Sequence, residues 1–187
     1  MGPNGNTGQT PAIMLLRDGF TRVQEGIESL LEQATEPMLG FRASSTANPI
    51  GWLVWHLSRV QDDHFADLGS ALDLGIPAGQ CWITNDWVSR FELPYDAKDT
   101  GFGHSSDEVA AFGKYEVGLL LGYHTDVHGQ ASKILAALKD SDLGEVIDTR
   151  WDPAVTAGSR LVSILGETTS HLGQAQLVRG IFTDRQI

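Results

Sequence analysis

Ile164-Leu165-Gly166-Glu167-Thr168-Thr169-Ser170-His171-Leu172-Gly173-Gln174 is the stretch from which the rest of the chain is best read. At about 100° of turn per residue, Ile164, Glu167, His171, Gln174 and Val178 fall on one stripe of a helix. Leu161, Leu165, Thr168, Leu172 and Ala175 flank that stripe, so the segment is apolar enough to be largely buried. A carboxylate and an imidazole on a buried face are costly unless they are paired or bind a metal. Glu167 and His171 stand one turn apart, close enough to reach one ion. A third ligand has to come from elsewhere. The best candidate is His56, within Pro49-Ile50-Gly51-Trp52-Leu53-Val54-Trp55-His56-Leu57.

The surrounding chain supplies three more helices. Thr10-Pro11 pairs an N-cap residue with proline at the first helical position. Ile13, Leu16, Phe20, Val23, Ile27 and Leu30 then recur at intervals of three and four, the pattern of a bundle helix that ends before Pro37. Residues 36–47 read as a loop. Asn48-Pro49 opens a second helix to about Leu72, on which Trp52, His56, Val60 and Asp63 share a face; His64 points elsewhere, toward the surface. Taken alone, a histidine such as His56 is more often a hydrogen-bonded core residue than a ligand. Ser105 or Ser106 caps a third helix running to about Leu138, with Asp107 and Glu108 favouring its dipole. That helix carries a second i, i+4 pair, His124 and His128, a reserve metal site expected near the opposite end from His56, although one core and one exposed histidine is the commoner state of such a pair. Gly158-Ser159 starts the fourth helix, which runs to about Phe182.

Between the second and third helices, residues 73–104 are broken by Gly75, Pro77, Gly79, Pro94, Gly101 and Gly103. A connection of this length is often a lid or binding loop. Trp82, Trp87 and Phe91 either line a substrate pocket or pack over an open bundle end, the second being the commoner use of such residues. A long crossing also lets the helices on either side run parallel. Residues 139–157 form another polar connection, with Trp151 and Pro153. The fold class is therefore all-α, a four-helix bundle with a long crossover between its second and third helices.

Composition bounds the function. A chain of 187 residues suits one domain, spanning 11–187 after a disordered leader at 1–10 that has neither the basic region nor the apolar core of a signal peptide. A formal charge of -11 argues against nucleic acid. No run reaches the length of a membrane span. The single cysteine, Cys81, excludes an internal disulfide and fits a reducing cytoplasm. Between Gln80 and Trp82 it reads as a small apolar filler.

Asn48-Pro49-Ile50-Gly51-Trp52-Leu53-Val54-Trp55-His56-Leu57, Gly101-Phe102-Gly103-His104, and Glu167 through His171-Leu172-Gly173-Gln174 together resemble the DinB/YfiT-like superfamily, in particular its DUF664-type branch. The resemblance covers almost all of residues 11–182. It implies a four-helix bundle with a long second-to-third crossover, holding a divalent metal through one histidine of the second helix and two residues, commonly histidines, of the fourth. By position His56 matches the first ligand and His171 the last, with Glu167 a carboxylate in the remaining place. Gln174, one turn beyond His171, then reads as a water-holding or ligand-orienting residue.

Two neutral imidazoles and one carboxylate suit Zn²⁺, Ni²⁺ or Fe²⁺ about equally. An ion so held keeps open positions at which a water or thiol becomes a nucleophile near neutral pH. Related families include mycothiol-dependent maleylpyruvate isomerase and bacillithiol S-transferases. The resemblance therefore implies a metal-dependent thiol S-transferase or isomerase using a low-molecular-weight thiol such as mycothiol, with Trp52, Trp82 and Trp87 as candidates for holding cofactor or substrate. Two alternatives stand beside it. One is a metal-dependent hydrolase with Asp63 or His104 as proton carrier; the other is a non-catalytic module that binds metal or a small molecule. A small-molecule substrate and a homodimer are the expected partners.

Overall fold

The computed structural model describes residues 10–185. The expected leader thus lies, apart from Thr10, outside the described residues. In chain order the helices are α1 (Pro11–Leu31), α2 (Glu36–Gly40), α3 (Ile50–Ala71), α4 (Cys81–Thr84), α5 (Trp87–Phe91), α6 (Ser106–Ala110), α7 (Val117–Ala137) and α8 (Ala157–Asp184). The long ones, α1, α3, α7 and α8, form the expected four-helix bundle. A short hairpin of β1 (Val146–Asp148) and β2 (Val155–Thr156) precedes α8. None of the described helices is long and apolar enough to cross a membrane.

Local chemistry sets most of the boundaries. The Thr10 side chain accepts from the Ile13 amide at the start of α1, and Ser105 with Glu108 forms a capping box on α6. Thr156 caps α8 by accepting from the Ser159 amide, so that helix starts slightly before Gly158. Three expectations are corrected. Residues 36–47 hold a turn of helix, α2. The 139–157 connection folds into a 3₁₀ turn and the hairpin. The third helix is two helices, because Gly113 at φ +62° turns the chain between α6 and α7.

Side-chain contacts fix the directions of the helices. Ser58 and Gly69 of α3 meet His124 and Ile134 of α7, so those two run parallel, as a long crossover permits. Gly19 and Gly26 of α1 meet Leu165 and Leu172 of α8, so that pair is parallel as well. A Cβ at Gly26 would stand 2.5 Å from a Leu172 methyl, so glycine is what lets the two backbones approach there. Where His56 meets Glu167, α3 and α8 are neighbours; the contacts described below make them antiparallel.

The core falls into two apolar clusters. One is centred on Ile27, Leu53, Leu57, Leu120 and Leu172, and the other on Phe20, Phe65, Ile134, Leu161 and Ile164. Buried polar side chains interrupt the apolar ones: Gln24, Ser58, Gln61, His124 and Thr168. The crossover packs inward as well. Trp82, Trp87 and Phe91 surround Tyr123 of α7, with ring centroids 5.1, 5.8 and 6.0 Å from it.

A buried ion pair fastens the crossover. Asp62 accepts the Cys81 and Trp82 amides, which start α4, and the Tyr123 hydroxyl. Arg59, fully buried, lies 3.6 Å from Asp62 and donates to Tyr123, to the Gln80 side chain and to the Asp99 carbonyl. One guanidinium therefore holds both ends of the 80–99 segment against α3.

Candidate metal centre

His56 leaves α3 toward α8, and Glu167 and His171 leave α8 one turn apart to meet it. His56 Nε2 is 3.7 Å from Glu167 Oε1, and His171 Nε2 is 3.8 Å from the same oxygen. The three ligand atoms all lie within 4.8 Å of one another. Ligands at about 2.1 Å around a tetrahedral ion stand roughly 3.4 Å apart, so a small inward movement of flexible side chains closes the set. His56 is buried, whereas Glu167 is about a third exposed, which leaves the site open on the Glu167 side.

Each imidazole has its second nitrogen engaged. His56 Nδ1–H donates to the Thr100 carbonyl at 2.6 Å, leaving the Nε2 lone pair facing Glu167. His171 Nδ1–H donates to Gln174 Oε1 at 3.2 Å, leaving its Nε2 in the same position. Such partners set the tautomer and aim of metal-binding histidines. Burial, reinforced by neighbouring His171, holds His56 below the usual imidazole range against the opposing pull of the Thr100 carbonyl and Glu167. The neutral ring is the form a metal requires.

The 99–104 loop builds the wall behind His56. Trp52 stacks on the His56 ring with centroids 4.7 Å apart. Its indole N–H points to His104 Nδ1 at 3.4 Å, and His104 Nε2–H donates to Asp99 at 2.9 Å. Gly101 at φ +88° presses directly on the ring: a Cβ there would lie 2.9 Å from His56 Nδ1. Little of this support is legible in the sequence. The Thr100 contact is a backbone carbonyl and has no residue signature, while the Gly101–His104 motif carried only a likeness.

Other candidates fall as follows. Gln174 stands beside the centre. Asp63 accepts from Gln80 at 2.7 Å and lies 3.7 Å from His64. Asp63, His64 and Asp67 form a second, more exposed group of ligand-type atoms on α3. His64 is half-buried rather than at the surface, within electrostatic reach of Glu167 and Arg160. Of the three tryptophans, Trp52 touches the centre, while Trp82 and Trp87 pack around Tyr123. His124 is wholly buried and bonds Ser58, two residues beyond His56, so it sits near that level and not at the far end. His128 is half-buried, and the pair joins no cluster of three ligand atoms among the described residues. A hollow of about 330 Å³ beside Cys81 and Asp126 includes no residue of α8.

The sequence profile of the DinB superfamily matches residues 20–175. The chain belongs to the DinB superfamily. A crystal structure of a conserved protein from Enterococcus faecalis superposes with a TM-score of 0.77 at 29% identity, covering 90% of this chain and 95% of the other. No curated protein matches the sequence. The fold, the family and the juxtaposition of His56, Glu167 and His171 therefore agree, and the donor set fits a divalent ion of the first transition series or zinc.

Proposed function

We propose that this DinB protein holds a divalent metal at His56, Glu167 and His171 and uses it to activate a low-molecular-weight thiol for S-transfer or isomerisation. The observation that carries the reading is the convergence of two histidine Nε2 atoms and a carboxylate oxygen, each ring held by a hydrogen bond at its other nitrogen. When bound, the ion supplies the Lewis acidity that draws a thiol or a water toward ionisation near neutral pH.

The chain's own groups favour a nucleophile from outside. Cys81 is buried beside Asp62 and Asp126, and burial first, then those carboxylates, pushes its thiol up to about 12. It is a packed side chain, not a thiolate. His104 is bonded at both nitrogens, to Trp52 and Asp99, and Asp63 is bonded to Gln80. Glu167 and the histidines bind, Gln174 and Thr100 orient, and Trp52 shields His56 from water.

Cobalt substitution tests the reading. Adding small thiols to the Co²⁺-loaded protein should produce sulfur-to-cobalt charge-transfer absorption, retained in Cys81→Ala and weakening as pH falls and the sulfur is protonated. A protein that binds Co²⁺ yet gives no such band with any of several thiols overturns the thiol reading.

A further inference from the structure

The seam between α3 and α8 changes character on either side of the metal centre. Toward the end of α8, a groove of about 330 Å³ is lined by Leu53, Leu177, Val178 and Ile181, with Ala43, Thr46, Ala47 and Asn48 opposite. None of its lining residues is ionisable. In the other direction the seam reaches a hollow lined by His64, Arg150, Trp151 and Arg160.

The apolar groove adjoins the centre through both ligand-bearing helices. Leu53 lies three residues before His56 on α3, and Gln174 lies three residues after His171 on α8, so each is about 4.5 Å along its helix axis from a ligand. Leu53 and Gln174 line one hollow, which also makes the two helices antiparallel. Gln174 connects the two sites directly, since it lines the groove and accepts from His171. Leu177, one turn beyond Gln174, is 65% exposed and so open to an incoming ligand. The volume sits at the lower end of those that hold small ligands.

We infer that this groove is the specificity pocket of the centre, and that it receives an uncharged, aliphatic arm of the molecule whose donor atom reaches the metal. The inference rests on the metal-centre part of the reading above, not on the thiol. It assigns substrate selection to the 43–48 loop and the last turns of α8. The tryptophans of the crossover, packed around Tyr123, take no part in it. The absence of ionisable lining selects against a charged arm, because such a group would lose hydration without gaining a partner. Growth of the arm should be limited by the small volume.

The test uses Co²⁺-loaded full-length protein and n-alkyl hydroxamates from acetohydroxamate to octanohydroxamate, read by the cobalt visible spectrum. Affinity should rise about two- to fourfold per added methylene, the gain expected for partial to full burial of each, and then level off. Leu177→Gln combined with Ile181→Gln should flatten that rise while leaving acetohydroxamate binding within about twofold. Leu15→Gln, at another exposed leucine on α1, should preserve the rise. Affinity independent of chain length, or a rise that survives in the double variant, overturns the groove assignment and leaves the metal centre standing. A protein that takes up no Co²⁺ at all refutes the metal centre and the groove with it.

Discussion

Gly101→Ala probes how the centre is supported, since it replaces no ligand yet presses on the ring of one. Gly101 has φ +88°, and an added methyl would come within 2.9 Å of His56 Nδ1, 2.9 Å of Trp55 and 3.0 Å of Trp52. Holding alanine in that backbone conformation costs about 1–2 kcal/mol. The methyl cannot be accommodated unless the 99–104 loop or the ring shifts, and either movement lengthens the His56–Thr100 hydrogen bond, worth about 1 kcal/mol. The sum is about 2–3 kcal/mol, or a fall in Tm of roughly 4–12 °C for a domain of this size. Because a partner that orients a metal-binding histidine is disturbed, metal affinity should fall about 10- to 100-fold. Gly75→Ala is the control: its φ is +68°, but nothing lies within 4 Å of the added carbon. It should lose about 1 kcal/mol and keep its metal affinity. Chelator-competition titration and thermal melting of both variants give the two readouts. Equal metal affinity in Gly101→Ala and wild type, or equal loss in both variants, would refute the claim that this loop positions His56.

Two further outcomes follow from groups away from the centre. His124 is wholly buried, and burial together with neighbouring His128 lowers its pKa to about 3. The unfolded histidine protonates near pH 6.5, so between that pH and about 3 the unfolded state binds more protons. This term is therefore absent above about pH 6.5 and removes about 1.4 kcal/mol per unit as pH falls below it. Denaturant melts in chelator at pH 7, 6 and 5 should show a slope reduced by about that amount in His124→Gln; an unchanged slope contradicts the assignment. Asp62→Ala strips a fully buried Arg59 of its counter-ion and removes the acceptor for two amides of α4. It should destabilise by about 3–5 kcal/mol in the same melts, whereas a loss under 1 kcal/mol would mean that the crossover is not fastened there.

The sequence spoke most clearly where periodicity and capping coincide. The three- and four-residue spacing from Ile13 to Leu30, opened by Thr10-Pro11, located α1, and the one-turn spacing of Glu167 and His171 brought two of the three ligand-type residues together. A single third helix from Ser105 to Leu138 would place Val109, Phe112 and Val117 on one apolar side. The five-residue step from Phe112 to Val117 breaks that side, and Gly113 supplies the turn. The crossover was harder still, since its order comes from Arg59, Asp62 and Tyr123, residues distant from the segment they hold. Arg59 and Asp62, opposite charges three residues apart just after the largely apolar run from Ile50 to Leu57, were the available signal. The support given to His56 by Thr100 had none, because any residue can present a carbonyl.

Elemental analysis of protein prepared without a metal-binding tag tests the central claim most directly. The account predicts close to one divalent ion per chain at the only mixed His–Glu–His group among the described residues. His56→Ala and His171→Ala should each lose it, Glu167→Ala should hold it more weakly, and Glu167→His should retain it. Full metal content in His56→Ala would contradict the account, since an ion that does not need His56 is not bound where α3 meets α8.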